Sequence, residues 1–289
     1  MAGTLTPYTT GTVTSADGTT IGYRRLGEGP GLLLVTGGYL TAEHYMELAQ
    51  ALAESFTVYA HDRRGRGLSG PPGEGYRMSA ECEDLDAVLA ETGARLVFGH
   101  SSGGLIALQA ALTSPNIDKV AVYEPALSMY GAYDLSWIPR FEREMGRGEL
   151  AEAMVTFLKG VRADRWTDRL PRRLLVFGLN QYFRRQRRAA GPGEESIPGL
   201  IPLQRFDVQI FHEMASSDGF AGLRAELLLM DGDKTPPPVH EAMDALQATV
   251  PHAERVVLRG VAHEAPVNGR GSPGRVAAHV REFFDPAGR

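Results

Sequence analysis

Residues 95–104 read RLVFGHSSGG, and this stretch decides the fold. Residues 95–98 have the apolar character of a buried β-strand, and the residues after Gly104 are rich in alanine and leucine, as in a helix. The glycines between the two segments predict a sharp turn. A strand that passes through a tight turn into a helix is a typical unit of a parallel sheet. This stretch therefore predicts an α/β protein.

Strands and helices alternate on both sides of this turn. The predicted strands are 12–15, 20–25, 31–35, 57–60, 95–98, 120–123, 227–230 and 255–258, and the predicted helices are 41–55, 79–91, 102–112, 239–246 and 274–284. The first two strands flank the turn pair Asp17 and Gly18, which favours an antiparallel hairpin. The remaining alternation predicts a mostly parallel, eight-stranded sheet flanked by helices.

The alternation stops after Pro125 and resumes near residue 227. The intervening segment shows helical patterns broken by prolines, without a strand signal. We therefore expect a helical cap, residues 126–223, inserted after the sixth strand. Residues 1–125 and 224–289 would together form the α/β core.

Composition limits the classes of function. The chain has 289 residues, a net charge of −5 and a pI near 5.9, which disfavour binding to nucleic acid or to an anionic membrane. Cys82 is the single cysteine, and the first residues lack the basic and apolar regions of a secretion signal. We expect a cytoplasmic protein whose partner is a small molecule, and the composition allows a homodimer.

The turn in this stretch predicts a nucleophile. Gly99, Ser101 and Gly103 have the G-x-S-x-G spacing between a strand and a helix, which is typical of a serine held on a strained turn. Backbone amides at the start of the following helix, especially that of Ser102, can bind the oxyanion that forms as the serine attacks. We therefore expect Ser101 to be the nucleophile.

These segments together resemble the α/β-hydrolase superfamily. Residues 36–38, TGG, fall where that family carries an oxyanion-hole amide, so the resemblance assigns Gly38 to the hole beside Ser102. Thr36 stands where the family usually has histidine. Residues 62–69, DRRGRGLS, resemble the family's turn after the fourth strand and are expected to be structural. His263, after the last strand, matches the general base, which takes the serine proton.

The acid that supports the histidine is open between several carboxylates. The family most often places it after the seventh strand, but the resemblance puts Thr235 at that position. Asp233 is shifted by two residues from it. Some family members carry the acid at the end of the preceding strand, where this chain has Glu124. Glu124 is the leading candidate and Asp233 the alternative, with Asp231 or a dyad without an acid still open.

The predicted reaction is hydrolysis of an ester, lactone or thioester of a small or medium-sized substrate through an acyl-enzyme. No metal-ligand spacing is present in the sequence, and neither a metal nor a cofactor is expected. An acyltransferase, cyclase or lyase on the same fold stays open, as does a non-catalytic receptor, because fold alone does not fix chemistry. Dehalogenase and epoxide hydrolase activities are disfavoured, since those family members use an aspartate where this chain has Ser101.

Overall fold

The computed structural model describes residues 7–163, 167, 169–189, 196–269 and 271–285. One sheet of eight strands organises the molecule, in the order β1-β2-β4-β3-β5-β6-β7-β8. The strands are β1 Thr9–Thr14, β2 Thr20–Leu26, β3 Gly31–Val35, β4 Thr57–His61, β5 Leu96–His100, β6 Lys119–Tyr123, β7 Glu226–Gly232 and β8 Glu254–Leu258. Strand β2 pairs antiparallel with β1 and with β4, and all other pairs are parallel. The predicted sheet is confirmed.

The helices cover both faces of the sheet. They are α1 Met46–Leu52, α2 Met78–Thr92, α3 Ser102–Thr113, α4 Ile138–Gly146, α5 Leu150–Gly160, α6 Arg172–Ala189, α7 Ile197–Leu200, α8 Gln204–Met214, α9 Pro237–Thr249 and α10 Pro273–Phe284. Helices α1 and α10 pack on one face, and α2, α3 and α9 pack on the other. Within the described residues, no helix is both long and apolar enough to cross a membrane.

Successive side chains point to opposite sides of a strand, and helices cover both sides of this sheet. Both faces of the central strands are therefore apolar. Leu32 and Leu34 of β3 join the core under α1 and α10, whereas Leu33 and Val35 join the core under α2 and α3. Continuous apolar runs are therefore the sequence signal of these strands. The parallel strands β3 to β8 end at the same edge of the sheet, and residues that follow β5, β6 and β8 meet there.

Several boundaries differ from the sequence prediction by one to three residues, and two differences have a clear structural reason. Strand β1 begins at Thr9 rather than at residue 12, because its whole length pairs with β2, from Thr9 opposite Arg25 to Thr14 opposite Thr20. Its polar residues gave no hydrophobic signal. The predicted helix 41–55 is a 3₁₀ helix, Ala42–Tyr45, followed by α1.

Helices α4 to α8 lie between β6 and β7, where the sequence predicted a cap; we call residues 126–223 the insert. The described part of the insert contains no strand. Helix α8 packs on the main core through Phe206, Ile210 and Met214, while α4 and α5 form a separate apolar cluster that includes Phe141 and Ala153. The division into a core and a cap domain stays a prediction. Residues 1–6, 164–166, 168, 190–195, 270 and 286–289 of these ranges lie outside the described residues.

Candidate active site

Ser101 lies on a strained turn between β5 and α3. Its φ of 54° is in a region that residues other than glycine rarely adopt. The turn is tight, since a Cβ atom on Gly103 would lie 2.4 Å from the Thr36 carbonyl oxygen and one on Gly99 would lie 2.6 Å from the Gly103 carbonyl oxygen. Only glycine fits at either position. The predicted strand, turn and helix are therefore present, with the serine at the end of the strand.

Backbone hydrogen bonds tie this turn to the end of β6. The Ser101 amide donates to the Tyr123 carbonyl oxygen at 3.0 Å, and the Ala126 amide donates to the Ser101 carbonyl oxygen at 3.1 Å. Glu124 lies between these two contacts in the chain. Its own φ is 44°, again in the left-handed region. Two strained residues on adjacent strands thus lie side by side at the carboxyl edge of the sheet.

The Glu124 side chain is buried and bonded through both oxygens. The residue is 2% exposed. Its Oε2 lies 2.8 Å from Nδ1 of His263, while Oε1 accepts the Gly232 amide at 2.9 Å and the hydroxyl of Thr235. Thr235 occupies the position where the resemblance expects the acid. Here its hydroxyl holds the carboxylate that comes from the neighbouring strand, which the sequence analysis did not foresee.

His263 gains basicity from this contact. Burial lowers its pKa, but the hydrogen bond to Glu124 and the negative charge of that group outweigh the burial, and the pKa is raised above 6.5. The side chain keeps 39% of its surface exposed, so the ring is open on one side. A carboxylate at Nδ1 keeps the proton of the neutral ring on that nitrogen and leaves Nε2 as the basic atom.

The other carboxylates considered from the sequence bond elsewhere. Asp233 accepts the Gly260 amide at 2.6 Å and so closes the turn that leads to His263. Asp231 is fully buried between His240, at 2.7 Å, and Arg255, at 3.1 Å. Among the described residues, no three His, Cys, Asp or Glu side chains are arranged to hold a metal ion.

His100, next to Ser101, is a structural link rather than an open base. Its Nε2 lies 2.9 Å from the carbonyl oxygen of His263, and its Nδ1 lies 2.7 Å from the hydroxyl of Tyr45. Burial lowers its pKa well below the usual range, so the ring is neutral. Because a carbonyl can only accept, Nε2 carries the proton and Nδ1 accepts from Tyr45. The Tyr45 oxygen in turn accepts the Gly37 amide at 3.0 Å.

Gly38 and Ser102, the residues assigned to the oxyanion hole, are in direct contact. The Gly38 amide donates to Oγ of Ser102 at 2.8 Å, and Gly38 has a φ of 41°. Ser102 is the first residue of α3, where backbone amides have no partner within the helix. The hydrogen of the Gly38 amide is thus already directed to a protein oxygen. Its role and that of Ser102 stay predictions.

A network of buried charges surrounds this contact. Arg63 bonds Glu81, Ser102 and Asp207, and Arg66 bonds Asp207 and the carbonyl oxygen of Gly38. Burial would raise the pKa of Glu81, but the charge of Arg63 lowers this pKa to about 2, so the side chain is ionised. The sequence analysis treated the loop that carries both arginines as structural. It did not single out Asp207, because nothing in the pattern of α8 shows that this acid faces the core.

Comparison with known proteins identifies the family to which this architecture belongs. A model of the alpha/beta hydrolase family matches residues 32–279. The chain is 32% identical over 143 residues to an uncharacterized hydrolase, YraK, of Bacillus subtilis, covering 47% of this chain and 53% of that protein. It is 38% identical over 95 residues to a non-heme haloperoxidase of Rhodococcus erythropolis, covering 32% and 35%. The chain thus matches about half, or less, of the length of these curated relatives.

A solved structure extends the likeness over nearly the whole molecule. It is an alpha/beta hydrolase of Sphaerobacter thermophilus, with a TM-score of 0.71 and 28% identity, and the match covers 95% of this chain and all of that one.

Proposed function

This chain belongs to the alpha/beta hydrolase family, and we propose that it is a hydrolase that cleaves an ester, lactone or thioester through an acyl-enzyme formed on Ser101. The observation that carries the proposal is the bond of 2.8 Å between Glu124 and His263, next to the strained turn of Ser101. Such a pair gives an imidazole that is oriented, basic at Nε2 and stabilised once it is protonated.

The proposed reaction has two halves. Ser101 Oγ attacks the acyl carbon and its proton passes to Nε2 of His263; the carbonyl electron pair moves to oxygen. When that pair returns, the bond to the leaving group breaks, and the leaving alcohol or thiol takes the proton from His263. Water then attacks the acyl-enzyme with its proton again passing to His263, and the acid is released as Ser101 recovers its proton.

Glu124 remains a carboxylate throughout the proposed reaction and stabilises the imidazolium. The negative oxygen of each tetrahedral intermediate is assigned to two amides beside the turn: that of Ser102, and that of Gly38 once its hydrogen turns from Ser102 Oγ to the substrate oxygen. Removing one donor of this kind costs about 10² to 10³ in kcat in serine hydrolases. Positive charge from the start of α3 favours the same position.

Labelling with a fluorophosphonate and turnover of p-nitrophenyl butyrate test the proposal. We expect the wild-type protein to be labelled once per chain, and Ser101→Ala to lose both labelling and turnover by several orders of magnitude. Ser216→Ala is the matched control, because Ser216 is exposed on the insert and bonds only locally to the Glu213 carbonyl oxygen. It should behave as wild type.

Acid release without an added acceptor separates hydrolysis from acyl transfer. We expect one equivalent of butyrate for each p-nitrophenol. If the folded wild-type protein is not labelled at Ser101, the assignment of Ser101 as the nucleophile is refuted. A labelled protein that releases no acid unless an alcohol or amine is added would replace hydrolysis by acyl transfer.

A further inference from the structure

Asp207 joins the insert to the residues around Gly38. It lies on α8, is 4% exposed, and its two oxygens bond different partners. Oδ1 accepts from Nη1 of Arg63 at 2.6 Å and from the hydroxyl of Ser102 at 2.6 Å, while Oδ2 accepts from Nη2 of Arg66 at 2.8 Å. One carboxylate of the insert thus fixes two arginines and one hydroxyl of the core.

The same contacts hold both backbone polar groups of Gly38, its amide and its carbonyl. Its amide donates to Ser102 Oγ at 2.8 Å, and its carbonyl oxygen accepts from Arg66. Both partners are themselves bonded to Asp207. A glycine with a φ of 41° has no side chain to fix its peptide, and it can change conformation at little cost. The orientation of this peptide therefore depends on the network.

The hydroxyl of Ser102 is fully used by these contacts. It donates to Asp207 and accepts from the Gly38 amide and from Nη1 of Arg63 at 2.9 Å. One donor and two acceptor sites are all that a hydroxyl offers. Without the carboxylate, the hydroxyl proton would lose its acceptor and Oγ would be free to rotate away from Gly38.

The charges explain why an acid is needed at this position. Arg63 and Arg66 are both buried, and the positive charge of Arg63 adds to burial in lowering the pKa of Arg66. Glu81 bonds Arg63, and in the described contacts Asp207 is the carboxylate that bonds Arg66. Because desolvation offsets most of what buried ion pairs contribute to stability, such a network is better explained by the geometry that it imposes.

We propose that Asp207 is a positioning residue for the peptide of Gly38, acting through Ser102 and Arg66: it holds this peptide beside the turn of Ser101, where the Gly38 amide can pass its hydrogen bond from Ser102 Oγ to the oxyanion. The inference rests on the proposed function and adds that the insert sets the rate of acyl transfer to Ser101. The insert then contributes to transition-state stabilisation.

Steady-state kinetics of Asp207→Asn on p-nitrophenyl butyrate, normalised by fluorophosphonate titration of active sites, test the proposal. Asparagine keeps the shape but loses the charge that both arginines need. We expect kcat to fall about 10- to 100-fold, less than the loss of a whole oxyanion donor, with KM changed less than about threefold. The fluorophosphonate inactivation rate constant should fall in parallel, because its phosphoryl oxygen occupies the same hole.

Glu144→Gln is the matched control. Glu144 is 7% exposed on α4 and pairs within the insert with Arg172 at 2.7 Å and Arg140 at 2.8 Å, without contacting Gly38. This substitution should change thermal stability but leave kcat per titrated site within about twofold of wild type. An Asp207→Asn protein that loses stability while keeping wild-type kcat would overturn the proposal and leave Asp207 a purely structural residue.

Combination with Ser102→Ala provides a second test that does not depend on the stability of one variant. Alanine keeps the Ser102 amide but removes the hydroxyl between Asp207 and Gly38. If Asp207 acts through that hydroxyl, the loss in the double variant is smaller than the product of the two single losses. Losses that multiply would refute this route. If wild-type protein itself neither turns over esters nor reacts with the probe, the proposed function fails, not this inference alone.

Discussion

Replacing Glu124 by glutamine changes one carboxylate oxygen into an NH₂ group, and the structure determines which one. Oε1 accepts hydrogen bonds from the Gly232 amide and the Thr235 hydroxyl, so the carbonyl oxygen of the glutamine must take its place. The NH₂ group then faces Nδ1 of His263 at the position of Oε2. Because that group donates, Nδ1 has to accept, and the imidazole proton moves to Nε2.

An imidazole protonated at Nε2 cannot take the proton of Ser101. We therefore expect kcat of Glu124→Gln on p-nitrophenyl butyrate at pH 7.5 to fall by about 10⁴, as it does when an amide replaces the acid of a serine protease triad; this corresponds to about 5 kcal/mol in activation free energy. The substitution preserves volume, so circular dichroism and thermal unfolding should stay close to wild type.

Asp233→Asn is the control for this prediction. Asp233 accepts the Gly260 amide and lies in the same loop cluster, yet it does not bond His263 in the structure. We expect it to keep at least about a third of wild-type kcat, since an asparagine oxygen can still accept that amide. A Glu124→Gln protein with more than about 10% of wild-type kcat, or an inactive Asp233→Asn protein, would refute the assignment of the acid.

Three further predictions concern the same groups. Since His263 acts as a base only when neutral and its pKa is raised above 6.5, kcat/KM should fall as pH drops through that raised pKa; in Glu124→Ala the pH profile should show this fall at lower pH. Thr235→Val should lower kcat about 10-fold, whereas Thr235→Ser should keep it within about threefold, because the hydroxyl bonds a charged carboxylate; equal rates for both variants would contradict this role. Ser101→Gly should raise the unfolding temperature by about 2 °C by relieving the strain at a φ of 54°, and Ser101→Ala, which keeps that strain, should not when both are measured by differential scanning calorimetry.

Most of the sheet could be predicted because its central strands are buried on both faces. Continuous apolar runs such as residues 31–35 and 227–230 have few alternatives to a buried parallel strand once helices alternate with them. Strand β1 was placed less well because it lies at the edge and its polar residues, from Thr9 to Thr12, carry no such signal. Its length is set by pairing with β2, which is a property of the fold rather than of the segment.

Some residues of the candidate site could be predicted from the sequence, and others could not. Ser101 was predicted because its backbone strain requires glycines at fixed spacing, and spacing is visible in a sequence. The contact of Glu124 with His263 spans 139 positions, so the sequence could only rank Glu124 ahead of Asp233. The role of Thr235 could not be predicted at all, because nothing in the neighbouring sequence indicates that its hydroxyl bonds the acid of another strand.

The contact of Asp207 with the core limits how this protein can be re-engineered. A chimera in which residues 126–223 are exchanged for the corresponding part of a relative would also remove the contacts of Asp207 with the core. Unless the graft brings an acid to the place of Asp207, Arg63 and Arg66 would both be buried, and the acid left in the described contacts, Glu81, bonds Arg63 but not Arg66. A replacement for residues 126–223 therefore has to be chosen first for an acid that can take the place of Asp207.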